Sequence, residues 1–373
     1  MWTVAGTHLL LLSLSLSLSL VLCGQAGTYW TYSGSLGQDR WAESFPACGG
    51  DLQSPVDVET SSAQHDPSLT PVRPLGYSQP GNDLFTLTNN GHTVEMSLPG
   101  TMALEGLPWR FSAVQLHLHW GSGGQGGGAE HLIDGQSTNA ELHVVHYNSD
   151  LFPNVSAALS QQGGLAVLAV LIQTGEETNP AYQNIFNYLG NVRYTGQKVS
   201  VPPFNVQMLL PKQLDRFYRY NGSLTTPPCY QSVLWTVFSE RVTVSYTQME
   251  RLQTALVAGA PGSAHVVPLQ DNFRGTQPLN GRLILTSFPP DSAPAFSVGE
   301  VCAVVVGVLC GCGGLAVTVH FIVNRLRSSS SWDVLPSVRT AVQPRGQEPK
   351  EPKQNVVFKT TPDPEREEGP PKQ

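Results

Sequence analysis

Short runs in which apolar and polar residues alternate recur through the middle of the chain, separated by Gly, Pro, Asn and Asp. The clearest runs are LFTLTNNGHTVEMSL, SAVQLHLHW, NAELHVVHYN, GLAVLAVLIQTG and SVLWTVF. Alternation of this kind is typical of β-strands, whose successive side chains point to opposite faces. In the first run Asn90-Gly91 joins two alternating stretches, which predicts a hairpin. Strands therefore dominate the prediction.

Helical periodicity is rarer. The best helical pattern covers residues 245–256, and NPAYQNIFNYLG at residues 179–190 is second. The central region contains no recognisable internal sequence repeat. We therefore predict one mostly β domain with peripheral helices at residues 28–290.

Apolar segments flank this domain on both sides. Residues 1–26 form a Leu/Ser-rich run followed by small residues, which predicts a signal peptide; the run lacks a preceding Lys or Arg, so a signal anchor is the alternative. Residues 301–323 contain no Asp, Glu, Lys or Arg and are long enough to cross a bilayer. Arg325 and Arg327 follow directly, and this charge bias predicts a cytoplasmic C-terminus.

The pattern predicts a single-pass type I protein of the plasma membrane. Its domain would be extracellular, followed by a stalk at residues 291–300 and a disordered cytoplasmic tail, rich in Pro, Ser, Lys and Glu, at residues 324–373. Gly307 and Gly311 form a GxxxG pattern that is typical of helix dimers, although glycine is common in membrane spans.

Composition narrows the class of protein. Hydrophobic residues make up 40% of the chain and charged residues 13%, so a large packed core is feasible. The net charge is −7 and the central region has no basic block, which argues against nucleic acid as a partner. Cys48 and Cys229 are the cysteines outside the leader and the span, which indicates one disulfide; two free thiols are the alternative. Sequons at Asn154 and Asn221 fit an extracellular location.

Histidines are concentrated on two of the predicted strands. In QLHLHWG the side chains of Gln115, His117 and His119 share one face, and in AELHVVH those of Glu141 and His143 do. If these strands are neighbours, three imidazoles converge and leave a fourth position open, as in catalytic zinc sites. Gln115 and Glu141 would then orient the ligands. A pair of histidines alone also occurs in other metal-binding barrels and as plain surface alternation.

Five motifs together, QSPVDV, NNGH, QLHLHWG, AELHVVHYN and NGSLTTPPC, resemble those of the α-class carbonic anhydrases. The resemblance covers residues 29–288, with every motif in order, and the leader, span and cysteine pair are similar to those of the membrane-anchored members. It implies a large central, mainly antiparallel twisted sheet. It also implies reversible hydration of carbon dioxide to bicarbonate and a proton by zinc-bound hydroxide, with bicarbonate transporters as partners.

The resemblance also implies a role for each matching residue. The zinc ligands would be His117, His119 and His143, held by Gln115, Glu141 and Asn272. Thr225 would act with the buried Glu130 on the nucleophile, Thr226 would contact bicarbonate, and His92 would carry the proton. The polar side of the cavity would be lined by Tyr32, Asn90 and Glu95, and the apolar side by Val145, Val167, Leu224, Val233 and Trp235. Arg274 and His131 would be structural.

Elementary chemistry agrees with these roles. Zinc lowers the pKa of a bound water to about 7, and an apolar wall is sufficient for carbon dioxide. An imidazole with a pKa of about 6.5 suits proton relay, although His92 after Asn-Gly is also an ordinary turn residue.

Two departures from the family pattern stand out. Residues 121–128, GSGGQGGG, form a glycine-rich insertion that we expect to be a surface loop. Glu95 replaces the usual Gln or Asn, and we expect its charge to raise the pKa of His92 or alter anion binding.

Two other functions compete with this reading. A non-catalytic adhesion or binding ectodomain of the same family would typically lack a ligand histidine. A different metal protein, such as an iron cupin, would place a carboxylate among its ligands.

Overall fold

The computed structural model describes residues 29–123, 127–263, 266–289 and 298–329. The predicted signal peptide, residues 291–297 of the predicted stalk and most of the predicted tail lie outside the described residues. The chain forms two units, Met1–Ala293 and Pro294–Gln373, which are considered separately.

The first unit is built mainly from strands. They are β1 Asp57–Val58, β2 Gln64–His65, β3 Arg73–Leu75, β4 Phe85–Asn89, β5 Val94–Ser97, β6 Ala103–Glu105, β7 Phe111–Trp120, β8 Leu132–Ile133, β9 Ala140–Asn148, β10 Leu165–Gly175, β11 Lys198–Val201, β12 Phe217–Gly222, β13 Val233–Phe238, β14 Val242–Ser245, β15 Val257–Ala258, β16 Val267–Pro268 and β17 Leu285–Thr286.

Helices in this unit are short. They are α1 Trp41–Ser44, α2 Val155–Ala158, α3 Pro180–Phe186 and α4 Tyr246–Ala255, with 3-10 turns at Gly34–Leu36, Gln38–Arg40, Pro46–Gly49, Leu189–Val192 and Val206–Leu209. Both predicted helices are present. α3 begins with Pro180 after the capping side chain of Asn179, and α4 begins with a capping box between Ser245 and Gln248.

A mixed sheet of 13 strands dominates the described part of the unit, and ten of them follow the order β11-β4-β5-β7-β9-β10-β13-β12-β17-β2, with β14, β3 and β6 paired beside this path. Most neighbours are antiparallel, but β10 pairs in parallel with β13 and β14, and β17 with β2. The predicted hairpin is observed as β4 and β5. Asn90 holds its turn because its side-chain oxygen accepts hydrogen bonds from the backbone N–H groups of His92 and Thr93. The predicted β-rich class with peripheral helices is confirmed.

The two faces of this sheet carry different clusters of buried residues. On one face Leu116, Leu118 and Val144 belong to the larger hydrophobic core. On the other face Val145, Val167 and Trp235 belong to a smaller apolar cluster. Because side chains alternate along each strand, the histidines of β7 and β9 lie on the face of the smaller cluster.

The predicted disulfide is confirmed, and the alternative of two free thiols is wrong. Cys48 and Cys229 are bonded, at a sequence separation of 181. Cys48 lies in a 3-10 turn near the start of the described chain, and Cys229 has a positive φ of 55° at the end of the LTTPPC segment. The bond therefore fixes the N-terminal segment to the loop that carries Thr225.

The second unit contains one long helix, α5, at Val298–Ser329. Residues Val305–Ser328 are long and apolar enough to cross a membrane. The helix extends past both ends of the predicted span at 301–323, so residues 324–329, which we assigned to a disordered tail, are helical. The positive charges of Arg325 and Arg327 interact favourably with the helix dipole near its C-terminus, which explains why the helix continues through them.

We predict that Cys48→Ser lowers the free energy of unfolding by about 2–5 kcal/mol, because the disulfide restricts the unfolded chain. Denaturant unfolding of the full chain, followed by tryptophan fluorescence, measures this change. Cys312→Ser is the control, since Cys312 is a free, exposed cysteine of α5 and its loss is expected to have no effect on the first unit. Equal unfolding midpoints for Cys48→Ser and the wild type would contradict the prediction.

Candidate metal centre

Three histidines meet on the face of the sheet that carries the smaller apolar cluster. β7 and β9 are antiparallel neighbours, and His117 lies directly opposite His143 in their register. His119 follows two residues later on the same face. One ring nitrogen from each histidine lies within 4.8 Å of the other two, and His119 Nε2 is 3.1 Å from His143 Nδ1. The structure thus brings together the three residues that strand alternation predicts.

The remaining ring nitrogen of each histidine faces a hydrogen-bond acceptor. His117 Nδ1 is 2.8 Å from Gln115 Oε1, and His143 Nε2 is 2.7 Å from Glu141 Oε1. His119 Nδ1 is 2.7 Å from the backbone carbonyl oxygen of Asn272. These acceptors place each N–H on the outer nitrogen, so His117 Nε2, His119 Nε2 and His143 Nδ1 carry lone pairs that face inward.

This arrangement fits a bound cation. Two nitrogen lone pairs that face each other at 3.1 Å repel unless a positive ion lies between them. Burial lowers the pKa of all three imidazoles, to about 4 for His119 and well below 6.5 for His117, so each is neutral at pH 7 as a metal ligand must be. Three neutral imidazoles with room for a fourth ligand are a donor set that zinc takes.

Glu141 is the buried anchor of this cluster. Its Oε1 accepts hydrogen bonds from His143 and from His131 Nδ1, both at 2.7 Å, and its Oε2 accepts from the backbone N–H groups of Glu130 and His131. Burial alone would raise the pKa of Glu141, but its favourable interactions with His131 and His143, including two hydrogen bonds, outweigh that effect and hold the pKa well below its usual range. Although His131, Glu141 and His143 also lie close enough to hold a metal, these hydrogen bonds already occupy their facing atoms.

Glu130 lies just behind the ligands. Its Oε1 accepts a 2.8 Å hydrogen bond from the backbone N–H of Arg274 and is 3.4 Å from His119 Nδ1. Burial raises the pKa of Glu130 to about 7, although the nearby Thr225 hydroxyl acts to lower it. Its Oε2 accepts no hydrogen bond of normal geometry from the described residues. The carboxyl therefore has an oxygen free to receive the Thr225 proton.

The loop that carries Thr225 is held from both ends. Before Thr225, Ser223 and Ser54 exchange hydrogen bonds, with Ser54 N donating to Ser223 Oγ and Ser223 N to Ser54 Oγ. After it, Cys229 is disulfide-bonded to Cys48, whose carbonyl accepts from Arg274 Nη2. Arg274 thereby links the disulfide to Glu130, which is the structural role that we predicted for it.

The predicted apolar wall forms a single cluster beside the histidines. Four of its residues are buried members of the smaller apolar cluster: Val145, Val167, Val233 and Trp235. Leu224 is partly buried and packs against them. The Trp235 ring centroid is 4.8 Å from that of His143. Thr226, by contrast, is half-buried and its carbonyl accepts from Cys229 N. The metal-facing nitrogens therefore have an apolar surface on one side.

The polar side of the cavity includes an aromatic residue that sequence reasoning missed. The half-buried His92 ring stacks on Trp30, with centroids 3.8 Å apart and an angle of 8° between the planes. Trp30 also contacts Tyr32 edge-on. The Trp-Thr-Tyr segment near the end of the leader was the available signal, but only the fold brings it to the hairpin that carries His92.

The expected effect of Glu95 on His92 is wrong. Burial lowers the pKa of His92, and no carboxylate contributes to that shift. Glu95 lies instead opposite His117 in the register of β5 and β7. Burial raises the pKa of Glu95, while Lys198 acts to lower it.

The glycine-rich insertion is more tightly held than we expected of a surface loop. Residues 124–126 lie outside the described residues, but both ends of the loop are fixed. A Cβ on Gly121 would lie 2.0 Å from the Gly127 carbonyl oxygen, so only glycine permits this approach. The N–H groups of Gly128 and Ala129 both donate to Thr138 O, which positions the segment that leads into Glu130.

Comparison with known proteins gives a consistent result. A family model described as eukaryotic-type carbonic anhydrase matches residues 36–288. Carbonic anhydrase 12 of Homo sapiens is 48% identical over 262 residues, which cover 70% of this chain and 74% of the relative. Carbonic anhydrase 6 of Homo sapiens is 38% identical over 264 residues, with 70% and 83% covered. Carbonic anhydrase 6 of Bos taurus is 36% identical over 285 residues, with 75% and 87% covered.

We predict that Glu141→Gln weakens zinc binding by about 10–100-fold, because the neutral amide holds the His143 N–H less strongly and makes the imidazole a poorer donor. Competition with a chromophoric chelator measures the affinity. Glu95→Gln is the matched control, since Glu95 lines the same cavity and is not hydrogen-bonded to a ligand histidine in the described structure. Equal affinities for the two variants would contradict the role of Glu141.

Proposed function

The chain belongs to the eukaryotic-type carbonic anhydrase family and has carbonate dehydratase activity, and we propose that it hydrates carbon dioxide at a zinc ion held outside the cell. His117, His119 and His143 are the proposed ligands. The observation that supports this proposal most directly is the convergence of three inward lone pairs beside an apolar wall.

Each part of the cavity has a proposed task. When bound, zinc would lower the pKa of a water molecule to about 7 and so supply hydroxide at neutral pH. The cluster of Val145, Val167, Leu224, Val233 and Trp235 would seat carbon dioxide, which needs no charged partner. Thr226 would contact bicarbonate as it forms.

Thr225 and Glu130 would orient the attacking oxygen. If Thr225 donates its hydroxyl proton to the Glu130 carboxylate, only its lone pairs remain to accept a proton from that oxygen. The oxygen then presents its own lone pair to carbon dioxide. The pKa of Glu130, near 7 in the free cavity, makes its ionisation sensitive to the charges around it.

His92 would carry the released proton to buffer. Its ring lies on Trp30 at the half-buried side of the cavity, and its backbone carbonyl accepts a hydrogen bond from Asn272 Nδ2. The backbone carbonyl of Asn272 also accepts a hydrogen bond from His119 Nδ1. Asn272 therefore holds both His92, the proposed relay residue, and His119, a proposed ligand.

The proposed location is the plasma membrane, as a single-pass type I protein with a cleaved signal peptide. The apolar helix α5 and the disulfide support this placement. N-glycosylation is proposed at Asn154 and Asn221, both exposed. Asn154 caps α2 through Oδ1, which leaves Nδ2, the atom that carries a glycan, unused by the cap.

Finer assignments remain proposals. Residues 219–238 most resemble the fourteenth vertebrate isoform and then the twelfth, and the identity to human carbonic anhydrase 12 supports the second likeness. Dimerisation through Gly307 and Gly311, and association with bicarbonate transporters, are proposed on the sequence alone.

The competing functions fit the geometry less well. A non-catalytic binding ectodomain gives no reason for three imidazoles to aim lone pairs at one point. A cupin-like iron site needs a carboxylate ligand, but Glu141 contacts the outer nitrogen of His143. Glu130 Oε2 lies 3.8 Å from His143 Nδ1, and Glu130 is held through Oε1 by the backbone N–H of Arg274.

We predict that the wild-type chain contains one zinc per molecule and that His143→Ala loses it. Its carbon dioxide hydration should fall by more than the roughly 10–100-fold expected for an orienting partner, because a ligand itself is gone. Elemental analysis and stopped-flow hydration measure both quantities, and His65→Ala, an exposed histidine of β2, is the control. Iron or no metal in the wild type would overturn the proposal.

We predict that His92→Ala slows turnover in weak buffer by up to about 10²-fold and that added imidazole restores much of the loss. Because burial lowers the pKa of His92, the neutral form that accepts a proton persists below pH 6.5. The acidic limb of the turnover profile should therefore have its midpoint below 6.5.

Trp30→Ala tests the cause of that shift. Removing the stacked ring exposes His92, so the midpoint should move up toward 6.5 while zinc content stays unchanged. No rescue by imidazole would remove the relay assignment, and an unmoved midpoint would show that Trp30 does not set the pKa.

A further inference from the structure

A second cavity lies beside β12. Its volume is about 360 Å³, and β12 and the segment around β17 form much of its wall. Along β12, Tyr220 pairs with Trp235 on the histidine side, so its neighbour Arg219 faces the other way. The Arg219 side chain therefore lies across the sheet from the histidines, although Tyr220 also contributes to the cavity wall.

Arg219 lines this cavity without a charged partner. Its side chain is only 5% exposed, and its Nη2, which has almost no accessible surface, donates no hydrogen bond to any residue that the structure describes, so a ligand would reach it only after a small movement of the lining. Nε donates to Thr236 Oγ1 at 3.1 Å, and the guanidinium carbon lies 4.8 Å from the Phe217 ring. A buried guanidinium with a free N–H is costly unless something pairs with it.

A second guanidinium, that of Arg282, lines the same cavity. Its nitrogens donate to four backbone carbonyls, those of Gln53, Pro278, Leu279 and Asn221. Carbonyls satisfy its hydrogen bonds but do not neutralise its charge. Both guanidiniums therefore contribute positive charge to one enclosed space.

Apart from Asn221 and Tyr220, the remaining lining is apolar, and it contains no described acid. The side chains that define its walls are Leu69, Pro108, Leu234, Leu283 and Leu285. Burial lowers the pKa of Arg219 to about 10, with no carboxylate contributing, so it remains charged at neutral pH. The volume is close to the lower end of small-molecule sites.

We infer that this cavity binds a small organic anion, with a carboxylate or similar oxyanion held by Arg219 and Arg282 and an apolar body against the leucines. The two guanidiniums would attract a carboxylate mainly through their charge, since most N–H groups of Arg282 already donate to carbonyls, and burial strengthens that attraction. An inorganic anion would leave the apolar part of the cavity unfilled.

The test uses the full chain in detergent micelles, with N-glycans trimmed because Asn221 lines the cavity. Calorimetry measures the binding of benzoate, of benzyl alcohol, which has the ring without the charge, and of inorganic sulfate, which has the charge without the ring. We expect benzoate to bind at least 10-fold more tightly than either. Equal binding of benzyl alcohol or of sulfate would overturn the assigned ligand class.

Variants separate this cavity from the metal centre, where benzoate could also bind. Arg219→Gln should weaken benzoate binding at least 10-fold and leave carbon dioxide hydration unchanged, whereas Arg241→Gln, another arginine of the first unit, should bind as the wild type does. Undiminished binding by Arg219→Gln would overturn the inference.

Two further measurements cover the stability of the variant. Because the Arg219 charge has no described partner, Arg219→Gln should melt no lower than the wild type without benzoate, and only the wild type should gain stability when benzoate is added. Leu283→Glu, at a position that is 47% exposed, offers the guanidiniums a carboxylate from the chain itself and should abolish benzoate binding without altering a buried residue. Benzoate binding that survives in Leu283→Glu would also overturn the inference.

Discussion

The hydrogen bond between His143 Nε2 and the buried carboxylate of Glu141 is the constraint on which the centre depends. It fixes the outer N–H of His143 and therefore turns the Nδ1 lone pair toward His119. The same carboxylate accepts the backbone N–H groups of Glu130 and His131. One buried charge thus sets the tautomer of a proposed ligand and the position of the segment that carries Glu130.

The buried charge of Glu141 is tolerated because the protein itself donates hydrogen bonds to both carboxylate oxygens. Four donors surround Glu141, two from imidazoles and two from the backbone, and together they outweigh the effect of burial on its pKa. Glu130 has fewer donors and a pKa near 7. Hydrogen bonds therefore hold Glu141 ionised to orient a ligand, whereas Glu130 keeps an oxygen that can accept a hydrogen bond from the Thr225 hydroxyl.

Strand alternation was enough to predict which side chains of β7 and β9 share a face, and the Asn-Gly turn was enough to predict the hairpin of β4 and β5. These features depend on residues close in sequence. Asn272 holds His119 from 153 positions away through its backbone carbonyl. Every residue has such a carbonyl, so the sequence gives no signal for this contact. Trp30 reaches His92 only in the folded chain, and burial, not the charge of Glu95, lowers the pKa of His92.

The two faces of the sheet deal with buried ionisable groups in different ways. On the face of the larger core, His146 contacts Tyr77 and the Ala166 carbonyl, and burial lowers its pKa to about 3, so it is simply neutral. Arg219 cannot become neutral in this way, because its pKa of about 10 keeps the guanidinium charged at neutral pH. A buried charge that cannot be neutralised needs an opposite charge, and the described residues around Arg219 offer none. The imidazole lone pairs of the proposed metal centre pose the same requirement with the opposite sign, so in our proposals an ion from outside the chain completes each site.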